Sequence, residues 1–204
     1  MRRRSKWGKT NMWKLFAVSI VFSCCIFSAG TVTAVSFEAR NFDALASEAD
    51  QIIIGTAAAA SARRTGSREI VTDYSFNNLE VVKGTPLTGS LKLTMLGGTV
   101  GNETLNVAGA PTFLAGIRYL VFIAGNGSVM FPLVGGNQGL FQIRKDSIDM
   151  VSRVHDHAGR PVTRLNGRTG RNLAETQEMA TGEAMTEAAF VDAIRARVAE
   201  KGVL

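Results

Sequence analysis

Hydrophobic positions recur along this chain in two rhythms, and the switch between them marks out its elements. Around Phe42 the spacing is helical. Phe42, Leu45 and Ala49 stand at i, i+3 and i+7, Asn41 or Asp43 is placed to cap a short helix, and Asp50 ends it. From Gln51 the rhythm becomes that of strands. Residues 51–56 are largely β-branched and run on into the small residues 57–60. After a turn cluster at 63–67, a second strand alternates Ile70, Thr72, Tyr74 and Phe76 with Val71, Asp73 and Ser75. It breaks at Asn77 and Asn78 and resumes through Leu79 to Gly84, the mark of a bulge or sharp bend.

A third strand alternates Leu91, Leu93 and Met95 with Lys92 and Thr94. Residues 96–103 read as a glycine-rich loop, 104–107 as a short strand and 108–111 as a turn. Residues 117–123 form an almost continuous apolar run, which predicts a strand buried on both faces. Gly125, Asn126 and Gly127 signal a hairpin, with strands over 129–134 and 140–143 around the glycines of 135–139. One more strand is expected between Asp146 and Val154, packing Ile148, Met150 and Val154. Residues 155–182 lack periodicity and read as a loop or linker. From about Thr186 the helical rhythm returns, with Phe190, Val191, Ile194 and Val198 as an apolar stripe. Glu187 sits at the start of that helix and Arg195, Arg197 and Lys201 near its end, the sense favoured by the helix dipole. The expected fold is mainly β: a five- to six-stranded OB-like barrel with a short N-terminal helix and a C-terminal amphipathic helix.

Charge changes the picture at the N-terminus. Arg2, Arg3, Arg4, Lys6, Lys9 and Lys14 precede any acidic residue, and the other 17 of the 23 Lys/Arg equal the 17 Asp/Glu, so the whole net charge of +6 lies in the first 34 residues. A cationic stretch to Lys14, an apolar run over 15–29 and small residues at Val32 and Ala34 read as a signal peptide cut before Val35. The expected division is a signal peptide at 1–34, a β-barrel domain at 35–154, and a linker with a C-terminal helix at 155–204. Secretion or a periplasmic location follows. Two alternatives keep the chain at a membrane: an uncleaved leader acting as an anchor, or lipidation at Cys24, whose preceding Val21, Phe22 and Ser23 form an imperfect lipobox. Cys24 and Cys25 both lie in the leader. The mature chain would then hold no cysteine, which excludes disulfides, thiolate catalysis and cysteine-ligated metals.

Three stretches carry a family likeness: Ala49, Asp50 and the aliphatic run to Gly55; the strand end at Val82, Lys83 and Gly84; and residues 107–113 with Gly116, Tyr119 and Leu120. Together they resemble the netrin-type module of tissue inhibitors of metalloproteinases, which is an OB-fold barrel. The glycine-rich segments at 97–101 and 135–141 are similar to those of a group of uncharacterised bacterial exported proteins. The resemblance implies a barrel over about residues 42–144 and a protein partner, for instance an extracytoplasmic protease. It does not imply the chelating wedge of those inhibitors, which needs a processed N-terminal cysteine, whereas the expected N-terminus here is Val35.

Candidate chemistry is sparse. His155 and His157 would share a strand face and are the weak candidates for a metal, although no third ligand stands at a typical spacing and a solvated loop is the plainer reading. The segments with Gly98, Thr99 and Val100, and with Gly135, Gly136 and Asn137, are the candidate binding loops, since loops on a rigid scaffold carry recognition. No Gly-x-Ser-x-Gly elbow occurs, and nothing marks Asp73 and Glu80 as a catalytic pair. Tyr74, Phe76, Phe113, Tyr119, Phe122, Phe131 and Phe141 read as core, and Arg160, Arg164, Arg168 and Arg171 as a solvated basic run, so nucleic acid is not an expected partner. The sequence therefore predicts an exported, non-enzymatic binding module without a cofactor. The alternative is a cysteine-independent inhibitor or companion of a secreted metalloprotease.

Overall fold

The central feature is a six-stranded, wholly antiparallel sheet whose strands lie side by side in the order Leu91–Leu96, Ile70–Lys83, Gln51–Arg64, Arg118–Ile123, Leu140–Lys145 and Ser152–Asp156. The structure is a computed structural model that describes residues 38–65, 69–165 and 183–200. The expected leader at 1–34 and the segment 166–182, with Arg168 and Arg171, lie outside the described residues. The strands are β1 (Gln51–Arg64), β2 (Ile70–Lys83), β3 (Leu91–Leu96), β6 (Arg118–Ile123), β7 (Leu140–Lys145) and β8 (Ser152–Asp156). Two more, β4 (Gly98–Val100) and β5 (Glu103–Leu105), form a separate hairpin. The helices are α1 (Phe42–Glu48) and α2 (Glu187–Glu200). No ladder joins β3 to β7 or β8 among the described residues, so the sheet has two edges.

Alternation decides which side chains face which way. In β1 and β6, Ile52, Ile54, Leu120 and Phe122 point to one face and Ile53, Ala57, Tyr119, Val121 and Ile123 to the other. β6, as the apolar run at 117–123 predicted, and the first half of β1 are buried on both sides. The first face is covered by the helices. Phe190, Val191, Ile194 and Val198 of α2 and Phe42, Leu45 and Ala46 of α1 pack on β6, β7 and β8. Phe190 meets Phe42 edge-on at 5.7 Å and Phe141 at 5.0 Å. The second face collects Phe76, Leu91, Leu93, Met95 and Leu140, and is closed by loop residues Phe113 and Leu133.

The ends of these elements have local causes. Asn41 caps α1 by accepting from the Ala44 N–H at 2.8 Å. At the other end the buried Lys83 ammonium donates to the carbonyls of Ala46 (2.9 Å), Ser47 (3.4 Å) and Ala49 (2.7 Å), so the end of β2 closes the end of the helix. Arg118 of β6 grips Glu187 at 2.9 Å, and Arg197 of α2 meets Asp43 of α1 at 3.2 Å. The β1–β2 register shifts three times, one shift falling between Ile54 and Thr56 opposite Asn78, whose φ of +52° is left-handed. That is the irregularity expected at Asn77 and Asn78.

Four expectations need correction. Residues 129–134 are not a strand. β7 takes the free edge of β6 at Leu120 and Val121, Pro132 lacks a donor, and only the bridge Ile123–Leu133 forms. The stretch from Asp146 to Val154 is not one strand either. Asp146 and Asp149 accept from Ile148 N–H (2.8 Å) and Val151 N–H (3.0 Å), making side-chain turns that leave Ile148 92% and Met150 59% exposed. The loop expected at 96–103 contains β4. The expected linker from 155 is ordered at its start: β8 runs through to Asp156, and Val162 packs in the same core as α2.

Candidate functional site

The run of small residues in β1 explains where the β4–β5 hairpin sits. Ala62 pairs with Thr72 across β1 and β2, and neither presents bulk. Gly98 lies directly on them. A Cβ at Gly98 would run into Thr72 Oγ1 and stand 3.1 Å from the Ala62 Cβ. The Thr72 hydroxyl donates to the Gly97 carbonyl at 2.7 Å, and Gly97 N–H donates to the Ile70 carbonyl at 2.7 Å. Arg64 of β1 pairs with Glu103 of β5 and pins the far end. Gly97 and Gly98, with φ of +108° and +131°, hold conformations that side chains oppose, and they permit this close approach.

Seating the hairpin creates a groove. It has a volume of about 430 Å³ and runs between the hairpin, the β2–β3 residues Thr72, Tyr74 and Met95, and the segment from Asn106 to Thr112. That size falls in the range of ligand clefts, about 300–1,000 Å³. Its lining contains no Asp, Glu, Lys, Arg or His. Leu96, Leu105, Val107 and Pro111 give it apolar surface, and Thr99, Thr104, Asn106 and Thr112 give it neutral hydrogen-bonding groups. Tyr74 is half-buried there against Phe113, with ring centroids 5.1 Å apart, and burial pushes its phenol pKa upward. No formal charge faces the groove from this lining.

The predicted site residues distribute unevenly around it. Gly98 and Thr99 line the groove, although Gly98 is occupied by the seat beneath it, and Val100 closes the hairpin next to the Gly101–Asn102 turn. Gly135 and Gly136 are left-handed, with φ of +62° and +61°, and begin a short 3-10 turn. Asn137 in that turn donates its side-chain amide to the Gly109 carbonyl at 3.0 Å. Gly109 belongs to the groove, so the second predicted loop buttresses the wall that the first one faces. Thr72, Tyr74, Thr104, Asn106 and Thr112 were not singled out by sequence reasoning. The available signal was Gly101–Asn102 between two short threonine-bearing runs, a hairpin mark.

His155 and His157 lie on either side of the end of β8. β8 ends at Asp156, whose carboxylate accepts from Ala158 N–H and Arg160 N–H at 2.9 Å each and bends the chain into a turn. His155 is half-buried in the strand and His157 is exposed beyond it. Burial, and after it the Arg144 guanidinium, lower the His155 pKa. Among the described residues no group of three or more His, Cys, Asp or Glu is placed to hold a metal. Asp73 and Glu80 also stay apart. Asp73 pairs with Arg63 at 2.9 Å, and Glu80 with Arg195 at 3.3 Å. A second recess, of about 400 Å³, lies at the start of α2. Its Glu80, Glu187 and Asp192 are each matched by Arg118 or Arg195. No described helix is long and apolar enough to cross a membrane. No family model matches the sequence, and no curated protein or solved structure is significantly similar to it.

Proposed function

We propose that this chain is an exported, non-enzymatic binding module whose partner docks in the groove beside the β4–β5 hairpin. The observation that carries the reading is the uncharged lining of that groove, in contrast to the recess at the start of α2, which is lined with paired charges. A protein or surface component presenting a neutral segment would lose little on entering it, because no buried ion is left unpaired. The strand order β3-β2-β1-β6-β7, the shifts in the β1–β2 register and the apolar cluster shared by β3 and β7 support an OB-like curl beneath the groove. The cationic, then apolar N-terminal sequence supports export.

The test is affinity capture from the exported fraction with the wild-type chain and with Thr112→Arg, an exposed position that puts a charge into the groove. A reproducible partner held by the wild type and lost with Thr112→Arg is expected, with circular dichroism unchanged. Capture that ignores Thr112→Arg, or a folded protein that recovers nothing, would overturn the reading.

A further inference from the structure

The hairpin that forms one wall of the groove has an open edge. Among the described residues β4 and β5 pair only with each other, and none of those residues lies as a strand along the outer side of β5. Which of its backbone groups are free follows from the turn. Gly101, with φ of +60°, and Asn102 make a two-residue loop, with Val100 opposite Glu103 on either side of it. The pair flanking such a loop is the hydrogen-bonded one, so the next pair, Thr99 opposite Thr104, is not. Their hydroxyls meet at 2.9 Å, as the closer side-chain spacing of a non-bonded pair allows. The Thr104 N–H and C=O therefore point away from β4, and Asn106 follows just beyond the end of β5 at Leu105. Thr104 and Asn106 are exposed and both line the groove. Among the described residues no backbone hydrogen bond beyond the hairpin reaches either of them.

We propose that the groove takes an extended, uncharged peptide segment of a partner protein, which adds to the outer edge of β5 as a third strand. This rests on the groove reading above and names its ligand. Two features select the occupant. The unpaired N–H and C=O of Thr104 ask for a complementary backbone, which an extended peptide supplies at the right repeat. The lining has no charge to pair with an ionic side chain, whereas Tyr74, Met95, Leu96 and Val107 accept apolar ones on the side chains' inward turn. Strand addition also needs an edge that is not already blocked. The β8 edge is blocked, because Val154 N–H donates to Met185 C=O and Val162 N–H to Val154 C=O. The β3 edge is partly blocked, since Leu96 N–H donates to Met130 C=O and the Asn126 amide to Lys92 C=O.

The probe is a pool of blocked hexapeptides randomised over Ala, Ser, Thr, Val, Leu and Tyr, presented to the full chain, with a second pool that includes Lys and Glu. Retained neutral peptides are expected to slow amide exchange at Thr104. Methylating alternate peptide nitrogens should weaken binding at least tenfold, and so should Thr104→Pro, which removes an outward N–H along with the hydroxyl that meets Thr99, whereas Thr104→Val, which removes the hydroxyl alone, should bind as the wild type does. Unchanged circular dichroism shows that Thr104→Pro still folds. Peptides that bind but ignore both N-methylation and Thr104→Pro overturn strand addition, as does preferential retention of the charged pool. If Thr112→Arg still abolishes that binding, the groove reading survives. If no peptide is retained, strand addition falls, and the capture experiment above decides separately whether the groove binds anything.

Discussion

The two faces of the sheet are built from the same central strands but are closed by different means. On one face two helices lay regular apolar stripes across β6, β7 and β8, and ion pairs hold the helices to the sheet and to each other. On the other face no helix packs among the described residues. The cover is Phe113, Leu133 and a two-stranded hairpin seated on small residues, and it leaves a groove unfilled. Regular elements seal a surface because their side-chain period matches it. Irregular cover closes a core only where individual residues happen to reach, and the place it leaves open here is the groove proposed above as the binding site. Stability should therefore concentrate on the helix face and binding on the hairpin face.

The most severe break of that contrast is Phe190→Ala. Phe190 is fully buried between Phe42 and Phe141, and its loss should cost about 3–5 kcal/mol in urea unfolding. Peptide binding should be unchanged in whatever fraction stays folded. Next comes Lys83→Met. It keeps the apolar stem but strips the ammonium from three carbonyls at the end of α1, an expected loss of about 2–3 kcal/mol by the same measurement. On the hairpin face, Gly98→Ala should cost about 2–3 kcal/mol through the clash with Thr72 together with its φ of +131°, and it should disturb amide exchange at Thr104. Gly101→Ala, where nothing lies within 4 Å, should cost about 1 kcal/mol through its positive φ alone. Equal effects of the two glycine changes on Thr104 exchange would remove the case for a seated hairpin.

The smallest effect is one of pH. Hydrogen bonding from Arg63, then from Thr94, together with the charges of Arg63 and Lys92, lowers the Asp73 carboxyl to about 2. A depressed carboxylate stabilises fully above its ordinary value near about 4, and that contribution fades as pH falls towards 2. Between those limits the melting temperature of the wild type should fall more steeply than that of Asp73→Asn. Parallel curves would show that the Arg63–Asp73 pair contributes nothing.

Much of the architecture was legible in the residues. The helical spacings of Phe42–Leu45–Ala49 and Phe190–Val191–Ile194–Val198 name the faces that the helices bury, and the paired asparagines name the bulge. What stayed hidden depended on contacts distant in sequence. Val129 and Met130 read as strand because β-branching and hydrophobicity are local, while the edge of β6 they would need had gone to β7. Ile148 and Met150 alternate like core residues but sit in turns made by Asp146 and Asp149. The groove was half legible. Thr99 and its glycines stood out as a loop, but Tyr74 reads as core and Thr104 as filler until the hairpin is placed over Ala62 and Thr72. A run of alanines inside a strand is the trace such a seat leaves, because small side chains there mean that another backbone comes close.

Lys83 has one more consequence. Its amine is spent on three carbonyls and shielded by surrounding chain, while Lys92 is open to solvent. An acylating reagent should therefore mark Lys92 at once and Lys83 only when α1 lifts from β2. The chain carries its own clock: the rate at which that single nitrogen becomes labelled counts how often the helix face opens, read by mass from one tryptic fragment.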